Sequence, residues 1–288
     1  MNKTNASLTT ALLTLSVCVS IASGGAPMGP PIATLEEGQW SISGEFAHDR
    51  SDMEATGKVT ERFADGEGFS WTQRFDIEDL TSNMLFGNVA YGICDNWSVF
   101  VRVGVADAAD DVVVTPADSS SVERQDAFDG GYGLAWGIGT RATFCRWGPW
   151  AFGGMAQITW FKPGDSDFAI TDPLIPDETW SGDVELDFWQ TQISLAAVYQ
   201  VDTWRLWAGP FLQFIEGDMD FNGQALLAGE TGELRWTSDL KESSQIGGHV
   251  GVSWDFADQW NLWVEGQITG DSWLVGVGAV FTPETFGL

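Results

Sequence analysis

The chain has 288 residues, rich in tryptophan (16) and glycine (34), with a formal charge of −28. So acidic a polypeptide is repelled by phosphate backbones and anionic headgroups, which excludes nucleic acid as a ready partner. Past the N-terminus no apolar run reaches the roughly 18 residues of a spanning helix, so residence in a membrane requires a closed β-barrel.

Residues 1–24 read as a signal peptide. Lys3 gives a positive start, and Ala11 to Ile21 (ALLTLSVCVSI) is an apolar stretch too short to cross a bilayer. Small residues at Ser20 and Ala22, or at Ala22 and Gly24, suit a signal peptidase. Leu15-Ser16-Val17-Cys18 has the outline of a lipobox, but Val17 stands where a small residue is usual, so lipidation at Cys18 is the lesser reading. Residues 25–38 are rich in Gly and Pro and lack periodicity, which predicts a flexible leader before a single barrel domain over 39–288.

Alternation with a period of two marks β-strands from there on. The first is predicted at Gln39 to His48, with Trp40, Ile42 and Phe46 on one face. Residues 49–80 are polar and acidic and would prolong the strands as a hairpin beyond the membrane. The second strand, Thr81 to Ile93, sets Leu85, Val89 and Tyr91 against Asn88 and Ala90, and the third, Trp97 to Ala106, sets Val99, Val101 and Val103 against Phe100 and Arg102. A long acidic loop is expected over 107–129.

The clearest stretch is 130–161. Tyr132, Leu134, Trp136 and Ile138 alternate with Gly133, Ala135, Gly137 and Gly139, and after a short turn Trp150, Phe152, Ile158 and Trp160 alternate with Gly153, Met155, Gln157 and Thr159. One face is as apolar as a lipid contact and the other is small and polar. That is the reverse of a soluble sandwich and suits hydrocarbon outside with a narrow polar interior.

A second long loop is expected over 162–183, strand six over Leu186 to Gln200, and strand seven over Trp204 to Glu216. Strand seven has the least clear parity, because Trp207 and Phe211 fall on the interior face. After a third loop over 217–243 come strands at Gln245 to Asp255, Trp260 to Thr269 and Ser272 to Phe281. Short turns follow strands two, four, six and eight; long connections follow one, three, five and seven. The pattern predicts an all-β fold, a transmembrane antiparallel up-and-down β-barrel of about ten strands (8–12 remain open), with long acidic extracellular loops and short periplasmic turns. Trp97, Trp147, Trp150, Trp204, Trp254 and Trp260 flank the short turns as an aromatic girdle.

In this pattern the chain resembles the outer-membrane β-barrel class that includes OmpA-like and OmpW-like proteins, over about residues 39–281. The resemblance implies an integral protein of the cell outer membrane, with outer-membrane lipid and the barrel assembly machinery as partners. Such barrels often end on an aromatic that assembly factors read; here Phe281 ends the last strand, and Thr282 to Leu288 follow, with Phe286 among them.

Candidate functional residues lie on the interior faces. Glu45, Arg102, Arg141, Arg205, His249 and Glu265 predict a luminal charge network, since a buried charge must be paired or hydrated. Its structural reading, a network that plugs or stiffens the barrel, is preferred to a selectivity site in a narrow porin-like conduit. Cys94 and Cys145 are a candidate disulfide, against two free thiols in the turns; their strands are separated by one other, about 9–10 Å of sheet. Aspartates such as Asp107, Asp110 and Asp111 are candidate partners for divalent cations, yet they lack EF-hand spacing and read first as solvated surface. No metal site and no cofactor is implied. A rim hydrolase would need His48 or His249 to meet Asp49, Asp218 and Asp220, and His48 has lipid-facing parity. The sequence therefore reads as a non-enzymatic barrel with a structural or surface-interaction role, ahead of a narrow solute channel and a rim protease or lipid hydrolase.

Overall fold

The computed structural model describes residues 25–63, 68–114, 123–171, 178–227, 230–242 and 245–284. They form twelve strands: β1 (Trp40–Phe63), β2 (Gly68–Cys94), β3 (Trp97–Val114), β4 (Glu123–Trp147), β5 (Trp150–Lys162), β6 (Ser166–Thr171), β7 (Glu178–Val201), β8 (Trp204–Leu227), β9 (Glu230–Glu242), β10 (Ile246–Ala257), β11 (Trp260–Ile268) and β12 (Ser272–Phe281). No helix among the described residues is long and apolar enough to cross a membrane.

Ten of the strands follow one another round a closed antiparallel ring, which β12 shuts by pairing with β1 from Ile42↔Phe281 to Ser51↔Ser272. The other two are continuations. β6 prolongs β5 along β7, and β9 prolongs β10 along β8. Because the β11–β12 hairpin is short, β9 passes above it and pairs directly with β1, from Met53↔Glu242 to Phe63↔Gly232. On the other side, the Gly164 N–H donates to the Gly131 carbonyl at 2.7 Å and the Asp129 N–H to Ser166 Oγ at 2.9 Å, tying β6 to β4. The ten-strand ring thus narrows where it leaves the membrane.

The segments expected as long acidic loops over 107–129, 162–183 and 217–243 are, where described, mostly strand. Asp and Glu weaken intrinsic β preference, but pairing with neighbouring strands supplies what propensity does not. These upper strands enclose apolar side chains: Met53, Val59, Leu186, Met219, Phe221, Leu234 and Leu240 are all buried, in a cluster that continues down to Phe86, Phe161 and Ala26 in the barrel. Their outer face carries charge (Glu54, Lys58, Glu185, Asp218, Asp239, Lys241). On β8 the inward and outward parity is kept along the whole strand, but what it presents changes. On β8, Leu206, Leu212 and Phe214 point outward and are exposed; one step higher stands Glu216, and Met219 and Phe221 fill the inside.

That reversal locates the membrane. Below it, Val101, Ile138, Leu195 and Val250 are each more than half exposed, while Arg102, Gln157 and Ser253 behind them are buried. So large a continuous apolar exterior is lipid-facing, not solvent-facing. Trp97, Trp147, Trp150, Trp204, Trp254 and Trp260 ring the lower edge, all exposed, with Trp204 and Trp254 stacked at 5.4 Å. Trp136, Trp160 and Trp189 cluster at the other edge, centroids 5.4–6.3 Å apart. Trp150 and Trp160 lie at opposite ends of one strand. At about 3.4 Å per residue and a tilt of about 40°, their separation along the membrane normal is about 25 Å, the height of an outer-membrane apolar band.

Candidate functional site

The inner wall is built by register. Each inward position on one strand faces an inward position on the next, and wherever a large ring meets a glycine the ring lies across it. Trp207 faces Gly251, and a Cβ on Gly251 would stand 2.1 Å from Trp207 Cζ2; Trp263 faces Gly278, where a Cβ would stand 2.4 Å from Cε2. Phe100 on Gly139 and Phe211 on Gly247 repeat the arrangement. The unclear parity of strand seven is resolved here: Trp207 and Phe211 point inward because small residues of β10 make room for them.

The remaining lumen is filled by the N-terminal segment. The residues read as a flexible leader, 25–38, do not hang free: Ala26, Met28, Ile32, Ala33 and Leu35 are buried within the barrel. Their mostly uncharged, small and cyclic side chains leave a narrow chain whose backbone needs hydrogen-bond partners, and the inward polar side chains supply them. At the rim the Gly38 N–H donates to the Gly92 carbonyl at 2.9 Å, and the chain turns up into the lumen. The Thr143 hydroxyl donates to the Ala33 carbonyl at 3.3 Å. Ile32 packs with Val198, Trp207 and Trp263, and Met28 and Leu35 with Ala90, Phe100, Met155 and Phe211.

Higher up stands the charge cluster, four of the six luminal charges read from the sequence. Glu265 accepts the Met28 N–H at 2.5 Å on one oxygen and the Gly29 N–H at 3.0 Å on the other. Arg102 donates to the Pro27 carbonyl at 3.0 Å and Arg141 to the Met28 carbonyl at 2.9 Å. Glu45 lies 3.7 Å from Arg102, and the four formal charges cancel. Both guanidiniums lie over the Phe100 ring, Arg141 at 4.4 Å and Arg102 at 5.1 Å from its centroid, so each cation has an aromatic face as well as a carbonyl to meet it.

Above the cluster is a collar of glutamines. Gln157 donates to Gln192 at 2.5 Å, and Gln192 Nε2 lies 2.9 Å from the Gln213 and 3.0 Å from the Gln267 carboxamide oxygen. The Ala26 N–H donates to Gln190 at 2.6 Å, Gln267 donates to the Ala26 carbonyl at 3.2 Å, and the Gly25 N–H donates to Asp49 at 3.1 Å. These glutamines were not among the candidates from sequence, and Asp49 was weighed there only as a carboxylate for a rim hydrolase. The signal was available: glutamine recurs at inward positions of four strands, and residues 24–35 carry no charge in a strongly acidic chain.

The other two charges sit elsewhere. Arg205 is at the periplasmic mouth, in a two-pronged pair with Asp255, which also accepts from Asn261 at 2.8 Å; it lines a cavity of about 360 Å³ with Ile32, Ala33 and Arg146. His249 is buried beside Phe211, edge to face at 6.2 Å. Cys94 and Cys145, the candidate disulfide, are both free and exposed. β3 lies between their strands, and each cysteine sits at the end of its own hairpin, Cys94 opposite Trp97 and Cys145 opposite Phe152.

The hydrolase residues do not converge. His48 faces outward and its Nδ1 lies 3.0 Å from Asn83 Oδ1; Asp218 faces outward on β8 opposite Asp187 and Asp239; His249 faces the lumen. Asp107, one of the aspartates considered for divalent cations, accepts the Asn83 N–H at 2.5 Å, and the side chains of Asp110 and Asp111 lie outside the described residues. Among the described residues no group of three or more His, Cys, Asp or Glu side chains is arranged to hold a metal ion.

A closed ring, an outward apolar band and aromatic girdles at both of its edges define an integral outer-membrane β-barrel. No protein-family model matches the chain, and no curated protein matches it in sequence. Among solved structures it is similar to the outer membrane protease OmpT of Escherichia coli, with a TM-score of 0.45 and 10% identity over 84% of this chain and 97% of that one. It is also similar to the outer membrane protein OprG of Pseudomonas aeruginosa, at TM-score 0.43 and 14% identity over 86% and 97%. The β domain of the Bordetella autotransporter BrkA gives 0.41 and 9% over 86% and 100%. At that level a shared barrel outline says nothing of a shared activity.

Proposed function

We propose that the protein is a non-enzymatic outer-membrane barrel, shut at rest by its own N-terminal segment, that carries a folded extracellular β-head with a role in envelope structure or surface interaction. The observation that carries this reading is the occupied lumen. The segment from Gly25 to Leu35 lies inside it, buried at Ala26, Met28, Ile32, Ala33 and Leu35, with backbone groups of residues 25–29 and of Ala33 bound by wall side chains. The head supports the second half, because strands packed on buried apolar side chains present a fixed charged surface where mobile loops would not. Full-length protein in planar lipid bilayers is expected to show no steady open level. Sustained single-channel conductance would overturn the closed reading.

A narrow solute channel is the second reading. It is favoured by one feature: the centre of the lumen is filled by a segment separate from the wall, so an open state requires only that the segment move. A rim hydrolase lacks support, since its histidines and carboxylates face different sides of the wall.

A further inference from the structure

We propose that the lumen is a binding site for an extended, uncharged peptide, and that residues 25–33 occupy it as a ligand in cis; this rests on the reading that the lumen is shut. A filler held only by packing would leave its backbone to find partners within itself. Here the wall reads the backbone group by group. Gly25, Ala26, Met28 and Gly29 each donate their N–H to a wall side chain, namely Asp49, Gln190 and both oxygens of Glu265, and Pro27, between them, has no N–H to donate. The carbonyls of Ala26, Pro27 and Met28 accept from Gln267, Arg102 and Arg141. Donors and acceptors so placed, from strands far apart in sequence, are the pattern of peptide recognition by main-chain hydrogen bonds.

The same contacts set what the ligand is. A side chain at position 25 is disfavoured, because a Cβ there would stand 2.9 Å from Gln192 Nε2 and 3.0 Å from Gln213 Oε1. Position 26 is fully buried and takes Ala. Position 28 enters an apolar pocket lined by Phe100, Met155 and Phe211. Position 29 has φ +67°, a conformation that favours glycine, and it lies in van der Waals reach of the Trp263 ring. Two arginines and two glutamates form a neutral cluster around it, which suits a ligand without charge.

The test uses two variants, since either alone can fail to fold: full-length chain with Ala26→Trp, too large for the collar, and a chain lacking residues 25–35. Folding is read by heat-modifiable migration on gels. Both are expected to show steady conductance in planar bilayers that the parent lacks. The uncharged peptide acetyl-GAPMGPPIA-amide, added in trans, is expected to close it, and the reversed sequence at the same concentration is not. Adding Glu265→Gln to either variant is expected to weaken block about tenfold or more, the loss of a charge-assisted acceptor for two N–H groups. Conductance by the parent would refute the shut-lumen reading. Folded variants that stay sealed overturn the proposal by showing that wall side chains alone close the pore. So do open variants that the peptide does not block, or blocks no better than its reverse. Failure of both variants to fold overturns it too, since the segment is then a strut of the fold.

Discussion

Substituting Ile138 by arginine tests the assignment on which all the rest depends. Ile138 is 54% exposed, near the middle of the outward band on β4, between its cross-strand neighbours Val101 and Ile158. Along that face Trp136 and Leu134 lie above it, and below it a single threonine, Thr140, precedes Ala142 and Phe144. An arginine at the midplane of an outer-membrane barrel costs about 2–4 kcal/mol, falling to about 0–1 near the interfaces. The folded-to-unfolded ratio should therefore drop roughly 30- to 900-fold. The control is Thr237→Arg, an exposed outward position on β9 in the extracellular head, where a surface change is worth about 0.5 kcal/mol or less. The assay is reversible denaturant unfolding in lipid vesicles, comparing midpoints at constant slope. If Ile138→Arg and Thr237→Arg shift the midpoint equally, that face does not lie in hydrocarbon and the membrane placement fails.

Three further outcomes follow from particular contacts. Gly251→Ala drives a Cβ into the Trp207 ring and should cost about 1–3 kcal/mol, and Trp207→Leu in the same chain should recover part of it; additive losses in the double-mutant cycle would show that the two do not touch. Leu240→Ala removes a side chain that is 1% exposed in the head core and should cost about 2–5 kcal/mol there. Hydrogen exchange should rise in the upper halves of β1, β8 and β9 while the barrel keeps its heat-modifiable form, and unchanged exchange would mean that Leu240 does not help hold the head together. Cleavage by signal peptidase between Ala22 and Gly25 would set the new α-ammonium group close to Asp49, in the collar where the Gly25 N–H now donates. Intact mass of protein extracted from outer membranes should therefore give a chain starting within a few residues of Gly25, and retention of the first 24 residues would refute that processing.

The alternation of large and small residues was enough to place ten barrel strands and, strand seven apart, their inward and outward faces. It was enough because a membrane band imposes one rule on every strand it crosses, and a one-residue slip would turn Val101 and Ile158 inward and Arg102 and Gln157 into lipid. Above the band the rule reverses. Asp218 and Asp239 then stand outward while Met219 and Leu240 fill the interior, and a pattern sought with apolar residues outside reads as a loop.

The luminal site was legible only in part. Glu45, Arg102, Arg141 and Glu265 were marked as charges needing partners, and they do lie together. Their main partner could not be read from strand periodicity, because it is a segment with none. Gly25-Ala26-Pro27-Met28-Gly29 has no local structure that announces where it goes; its backbone is satisfied only by side chains such as Gln190 and Glu265, more than 160 residues away. The chemistry of each strand face was thus fixed locally, by solvent on one side and lumen on the other. The fate of the N-terminal segment was decided only when the ring closed and left a narrow polar bore with donors and acceptors facing inward, which a thin, uncharged stretch of backbone could satisfy.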